Sequence, residues 1–351
     1  MSHTQLKQDR AFGDIRALLQ RPASVKAWAT LCKLCGVIEP QRWEQELRPY
    51  ITGHLRAWPD HLRVTPKPWV KKMARGQDVP HASICAHLDL SGRDVTARSI
   101  EHLEDSSLDP SILRVLTLEN TWSTPQNLER LYTSPLLAHI EHASLSVEEA
   151  LDTSDIYAST SEMDARAVKT TFHRLAGHLP LKTFVGLQTY ADFADATYLQ
   201  GAHTQKLEAL HLKLQHNAVS QDILHANLPN LRALGLGLYQ GWYASALTQQ
   251  KLEPLLRAPW IPQVRELYLT SFAPQLWDVL KRAPWGALEH VYLVHFSRDS
   301  TDDTQGFETM DTRHLDATRA FSSNARVHTL EAIQPSLTWP ALRAKARQLH
   351  A

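Results

Sequence analysis

Cysteine is scarce. The 351 residues hold three, Cys32, Cys35 and Cys85, an odd number that cannot all pair and far too few for a disulfide scaffold. Long apolar runs are missing too: no stretch reaches the roughly eighteen residues that a membrane-spanning helix needs. The opening Met1-Ser-His-Thr-Gln-Leu-Lys-Gln-Asp-Arg10 has no apolar core of the secretory type, so the cytoplasm is the expected location, with no membrane partner. Net charge is absent: 37 Lys and Arg balance 37 Asp and Glu. Without a basic excess or a Lys/Arg block to neutralise phosphates, nucleic acid is not an expected partner. Phosphate-binding loops, G-x-S-x-G and kinase signatures are also missing. Gly235 and Gly237 do not open a helix as a dinucleotide loop would; they lie in a strand-like stretch, where glycine permits close backbone approach.

What is present is ordinary globular material, 43% hydrophobic and 21% charged, enough for two or three domains or one elongated array. Repetition decides between these. Leu255-Leu-Arg-Ala-Pro-Trp260 runs into Val264-Arg-Glu-Leu-Tyr-Leu269, and Leu280-Lys-Arg-Ala-Pro-Trp285 into Leu288-Glu-His-Val-Tyr-Leu293. The same apolar-x-x-apolar-x-Leu pattern occurs at Leu113–Leu118, Leu207–Leu212 and Leu231–Leu236. Weaker copies lie at His87–Leu90, Leu137–Ile140, Leu181–Phe184 and Val327–Leu330. Between the apolar residues taken as equivalent (Leu88, Leu116, Ile140, Phe184, Leu210, Leu234, Leu267, Val291, Leu330), the steps are 28, 24, 44, 26, 24, 33, 24 and 39. Most fall within the roughly 20–29 residues of a leucine-rich repeat, and the long steps contain polar insertions.

On these residues the chain resembles the leucine-rich repeat family over about residues 84–335. It departs from the family pattern in the asparagine that follows L-x-x-L-x-L, which is approximated only at Asn217 and Asn120, and so is similar to the irregular solenoids of bacterial leucine-rich repeat proteins. The resemblance implies an α/β fold: a leucine-rich repeat solenoid, with a parallel sheet on the concave face and helices on the convex face. Strand side chains alternate, so the leucines of each strand point into the stack and need neighbouring turns to bury them. Proline at 229, 259, 262 and 284 ends the return segments.

Before the repeats, Ala11–Gln20, Ser24–Cys35, Gln41–Trp58 and Pro66–Arg75 carry apolar residues at helical intervals, with Trp28, Leu31, Leu34 and Trp43, Leu47, Tyr50, Ile51, Leu55 as packing stripes. The expected organisation is a helical N-terminal cap domain over 1–80, the solenoid over 81–335 and a C-terminal capping helix over 336–351.

Candidate chemistry is thin. Cys32-Lys-Leu-Cys35 sits late in a helical pattern, not at the helix N-terminus a redox pair wants; with Cys85 and His87 it could supply four zinc ligands, at an unusual spacing. Buried, unreactive thiols are the plainer reading. Among 19 histidines, His139 and His142 form a lone H-x-x-H without a third ligand. The acidic stretch Asp302–Asp311 lacks the calcium-loop spacing, so no metal and no cofactor is expected. Many histidines titrate between about pH 5 and 8, which raises pH-dependent binding as a secondary idea.

The informative residues are those alternating away from the leucine core. They are expected to line the concave face: Asp89, Thr117, Glu141, His211, Lys213, Gly235, Tyr268, His290 and Tyr292, with Tyr239 and Trp242 just after one strand. Aromatic side chains bury large areas at low entropic cost and are enriched where partners bind. Exposed Tyr268 and Tyr292, one turn apart, make the C-terminal half the expected docking surface. Partner-binding roles therefore fall to His211, Lys213, Tyr239, Trp242, Tyr268, His290 and Tyr292. The chain reads as a non-catalytic module that binds a protein or peptide. The alternatives are an effector-like enzyme using an N-terminal cysteine, and a structural subunit of a larger assembly.

Overall fold

A computed structural model of the chain describes residues 3–119, 121–146, 179–188, 202–214, 221–238, 252–270, 277–296 and 325–332, with 321, 343 and 346. The chain divides into two compact units, Met1–Val168 and Lys169–Ala351.

In the first unit, α1 (His3–Leu19) leads to α2 (Val25–Cys35). Ser24 caps α2 by accepting from the Ala27 amide, satisfying one of the amides a helix start leaves open. Its buried face is Ala27, Trp28, Leu31, Cys32 and Cys35, the spacing of an amphipathic helix. A second helical run starts at Pro40, widens to a π turn over Trp43–Leu47 and continues as α3 (Arg48–Leu55). Pro49 explains the wide turn: it cannot donate and its ring crowds the preceding turn, and the Arg48 amide bonds back to the Trp43 carbonyl instead. Trp43, Leu47, Ile51 and Leu55 are fully buried, as the stripe requires, while Leu34 and Tyr50 are half-buried. After α4 (Lys67–Met73) the chain enters its strands.

Two indoles tie helices to the segments that precede the first strand within this unit. Trp28 Nε1 donates to the Val64 carbonyl at 2.7 Å and Trp43 Nε1 to the Pro80 carbonyl at 3.2 Å. Val64 in turn bridges His87 in parallel. The strands β1 (His87–Asp89), β2 (Val115–Glu119) and β3 (His142–Ser146) run parallel, with Leu88 opposite Leu116 and Leu116 opposite Ala143. Two return helices, α5 (Ala97–Glu104) and α6 (Pro125–Tyr132), are capped by Thr96 and Thr124. Here the sequence phase needs correction. Ile140 is not the strand residue equivalent to Leu116, and Glu141 precedes β3 instead of lining its face. Pro135–Leu137 forms a tight turn capped by Ser134, and Leu136, Leu137 and Ile140 are spent filling the core from that turn.

Among the described residues the second unit holds six parallel strands: β4 (Thr183–Gln188), β5 (Ala209–Leu214), β6 (Ala233–Leu238), β7 (Glu266–Thr270), β8 (His290–Phe296) and β9 (Arg326–Ala332). Register aligns Leu210, Leu234, Leu267, Val291 and Val327 in one row and Leu212, Leu236, Leu269 and Leu293 in the next. Phe184 faces Leu210, and the register slips at Gly186, between Val185 and Leu187, where glycine suits a bulge. Leu210, Leu212, Leu234, Leu236 and Leu267 are fully buried, each contributing about 1.5–3 kcal/mol. Leu330 is a second phase correction: Val327 is the residue opposite Val291, and Leu330 pairs with Val294 on the other face.

The recurring Arg-Ala-Pro-Trp supplies anchors in the return segments. Trp260 Nε1 donates to the Ile223 carbonyl at 3.0 Å and Trp285 Nε1 to the Leu280 carbonyl at 2.7 Å. Turns are tied where each strand begins. The carbonyls of Lys182, Glu208, Arg232 and Arg265 each accept two amides from the following turn, as Ala86 and Arg114 do in the first unit. Because this tie is made by the main chain, it needs no particular side chain, and the scarcity of asparagine does not prevent stacking.

Candidate functional site

Alternation puts Tyr268, Tyr292, His290 and His211 on the sheet face opposite the leucine rows, as expected: His211 lies opposite Gly235, Gly235 opposite Tyr268, and Tyr268 opposite Tyr292. The expectation that the two tyrosines stand open is overturned. Tyr268 is 0% exposed and Tyr292 2%. Their rings stack at 4.5 Å between centroids, and Tyr292 stacks on His328 at 5.3 Å. Small residues on the neighbouring strands, Ala209 and Ala233, make room for this row, and both belong to one buried cluster with Tyr268, Tyr292, Val294, Leu330 and Ala346.

Ala346 comes from far along the chain, and so does Arg343; both have helical conformation. They lie three positions apart in the sequence. Arg343 reaches Glu266 with Nε at 3.1 Å from Oε2 and Nη2 at 3.5 Å from Oε1, the two-pronged geometry a guanidinium offers a carboxylate. Tyr268 Oη donates to the same Oε2 at 2.9 Å. Burial, together with the Glu266 carboxylate, pushes the Tyr268 hydroxyl well above its ordinary range. Burial alone would pull the Arg343 guanidinium down, but Glu266 and Tyr268 more than offset it and the net shift is upward. The arrangement is an aromatic shelf with one carboxylate at its edge, held by a cation from the C-terminal part of the chain.

His290 is half-buried beside the shelf, with Nδ1 3.3 Å from His328 Nε2, and His211 is half-buried on β5. Lys213 lies on β5 opposite Gly237. Tyr239, Trp242 and the Asp302–Asp311 stretch lie outside the described residues. Glu266, His328, Arg343 and Ala346 were not read from the sequence. Glu266 and His328 carried a usable signal, since they share the strand parity of Tyr268 and Tyr292. Arg343 and Ala346 carried none, because they lie outside the repeats.

The face of the first unit is different. Thr117, expected as an open wall residue, is 4% exposed and lies 2.8 Å from His87 Nε2. The Nδ1 of His87 faces the His61 carbonyl at 3.5 Å, which places the ring proton on Nδ1 and leaves Nε2 to accept from the threonine. Burial brings His87 down to about 4, against an upward pull from Asp89; Asp89 itself is half-buried and accepts from the Ser91 amide at 3.0 Å. Cys32, Cys35 and Cys85 are free and buried. Burial pushes all three thiols up, Cys85 to about 12, away from the thiolate that reactivity requires. His139 is exposed and His142 half-buried. Among the described residues no group of three His, Cys, Asp or Glu side chains is placed to hold a metal ion, and no helix is long and apolar enough to cross a membrane.

No family model matches the chain, and no curated protein is significantly similar to it.

Proposed function

We propose that residues 81–335 form an irregular leucine-rich repeat solenoid acting as a non-catalytic, cytoplasmic interaction module, which binds a protein or peptide on the sheet face carrying Tyr268, His290 and Tyr292. One observation carries this reading: the face already accommodates polypeptide, through Arg343 on Glu266 and Ala346 against the tyrosines. Repeat arrays supply extended surfaces of this kind. The buried, upward-shifted thiols speak against cysteine catalysis. A photo-crosslinking residue at half-buried His290, tested in an extract of the native host, is expected to yield a discrete adduct with a protein. The same group at exposed Arg257 on a return segment yields none. Equal yields at both positions, or none at His290, reject the reading.

A further inference from the structure

The overall charge balance conceals a separation. Residues 1–80 hold 14 Lys and Arg against 7 Asp and Glu, and the rest of the chain holds 23 against 30. From Arg63 to Gln77 there are five cations and no carboxylate. Arg63 is buried on Asp60. The other four, Lys67, Lys71, Lys72 and Arg75, stand exposed on and just after α4, and none makes an ion pair with a described carboxylate. Val70 and Met73, on the opposite side of α4, are fully buried, so the cationic side is held outward. Gly76, at φ 74°, ends the helix in a left-handed turn, with the Gln77 amide on the Lys72 carbonyl at 3.1 Å. His102 Nδ1 donates to the Ala74 carbonyl at 3.1 Å, and Arg93 Nη2 to the Lys67 carbonyl at 2.8 Å. Arg93 thereby extends the row beyond the start of the helix.

This arrangement is not what helix stability calls for. The dipole favours Lys71 and Lys72 in the last turn but disfavours Lys67 in the first. Lys67 and Lys71, four positions apart, also repel each other. A glutamate at position 67 would relieve both, so the cations are spent on something outside the helix. The patch is short, about 12 Å from Lys67 to Arg75 at the helical rise. Asp78 follows it, held by Ser107 Oγ at 2.7 Å, and exposed Glu101 and Asp105 belong to the neighbouring α5 and its cap. A nucleic-acid backbone making roughly six to ten phosphate contacts would run past the patch and meet those carboxylates. A charged membrane would face them as well. A short acidic stretch of polypeptide ends where the patch ends.

We propose that α4, with Arg93, is a docking site for an acidic peptide segment of a protein partner, whose carboxylates pair with Lys67, Lys71, Lys72 and Arg75. The site lies in the first unit and does not depend on the sheet face of the second.

The test uses the full chain and a fluorescent peptide of eight glutamates, at roughly 0.15 M ionic strength, where weak long-range attraction is screened. One variant combines Lys71→Gln, Lys72→Gln and Arg75→Gln. A control combines Arg10→Gln, Lys26→Gln and Lys33→Gln, removing the same charge from α1 and α2. All six side chains are exposed, so both variants are expected to keep native circular dichroism. The patch variant is expected to bind the peptide at least tenfold more weakly than the unaltered chain, and the control within twofold of it. Failure of the unaltered chain to bind the peptide overturns the proposal. Equal loss in both variants overturns it too, since net charge alone would then be at work. Tighter binding of a single-stranded RNA oligonucleotide or of phosphatidylserine vesicles, abolished in the patch variant, overturns the assignment to a protein segment.

Discussion

The two units use the same construction and close their inner faces by opposite means. In the first, β1–β3 bury a polar set: His87, Thr117 and Ser144 are at most 5% exposed, and His87 is satisfied from both ring nitrogens. In the second, β5–β9 bury aromatic rings and alanines, with the Arg343–Glu266 ion pair at the edge. A polar face sealed by local bonds has its partners already chosen, since a histidine and a threonine on adjacent strands satisfy each other. The aromatic shelf satisfies the Tyr268 hydroxyl on Glu266 of the same strand and closes the rest by ring stacking. It gains from whatever apolar surface covers it, and here that cover arrives from outside the strands. The first face is closed by polar bonds between strands, and the second by ring stacking and an ion pair.

The sharpest way to break the comparison is to remove the shelf. Tyr268→Ala deletes a ring that is fully buried and stacked, and a change of this size in a core costs about 3–5 kcal/mol. Hydrogen exchange resolved by peptide should show β7 and β8 losing protection while β1–β3 keep theirs. Equal loss in both units would mean that the faces do not stand independently.

The polar face should fail instead in acid. With its pKa brought down to about 4, His87 stays neutral in the folded unit, whereas the unfolded chain takes up a proton near the ordinary value of about 6.5. The unfolded state therefore binds more protons below that point. The stability due to a neutral His87 is complete above about pH 6.5, declines as pH falls toward 4, and is lost below it. The loss is on the order of 3 kcal/mol. His61 and His81 are shifted down by burial as well and add to it in the same direction. Urea unfolding from pH 7 to pH 4 should show this loss in the native chain and a shallower one in His87→Asn. The same slope in both chains would take His87 out of the account.

How much of this was legible beforehand follows from what periodicity can carry. Four of the strands in the second unit could be placed from the apolar-x-x-apolar-x-Leu pattern alone, because a row such as Leu210, Leu234 and Leu267 must be in register to be buried at all. Phase failed at Ile140 and Leu330, where an apolar residue serves a tight turn or the opposite face; spacing records that a residue is apolar but not which side it covers. Parity correctly gave the face of Tyr268 and Tyr292. It could not give their burial, because the cover comes from Arg343 and Ala346, 75 or more positions from Tyr268 in sequence, and nothing local announces a contact at that range. The helical stripes Trp43, Leu47, Ile51 and Leu55 were legible because their neighbours lie within the same helical run. His87 escaped notice as a structural residue for the opposite reason: its partner Thr117 is one turn away, and only the register brings them together.

Deleting one hydroxyl from each face gives the finest comparison. Thr117→Val keeps shape and strand preference but leaves His87 Nε2, in a residue 3% exposed, without the group that satisfies it. An orphaned buried acceptor costs about 1–3 kcal/mol. Tyr268→Phe takes a hydroxyl from Glu266 but leaves Arg343 in place on the carboxylate. Nothing is orphaned, so the cost should stay near the roughly 0.5–1.5 kcal/mol of an ordinary hydrogen bond. Urea midpoints at pH 7 for the two variants decide it. The threonine variant is expected to lose more, although the tyrosine is much the larger side chain. The reverse order would show that Glu266 depends on the phenol as much as on the guanidinium, and the second face would then be locally satisfied in the same manner as the first.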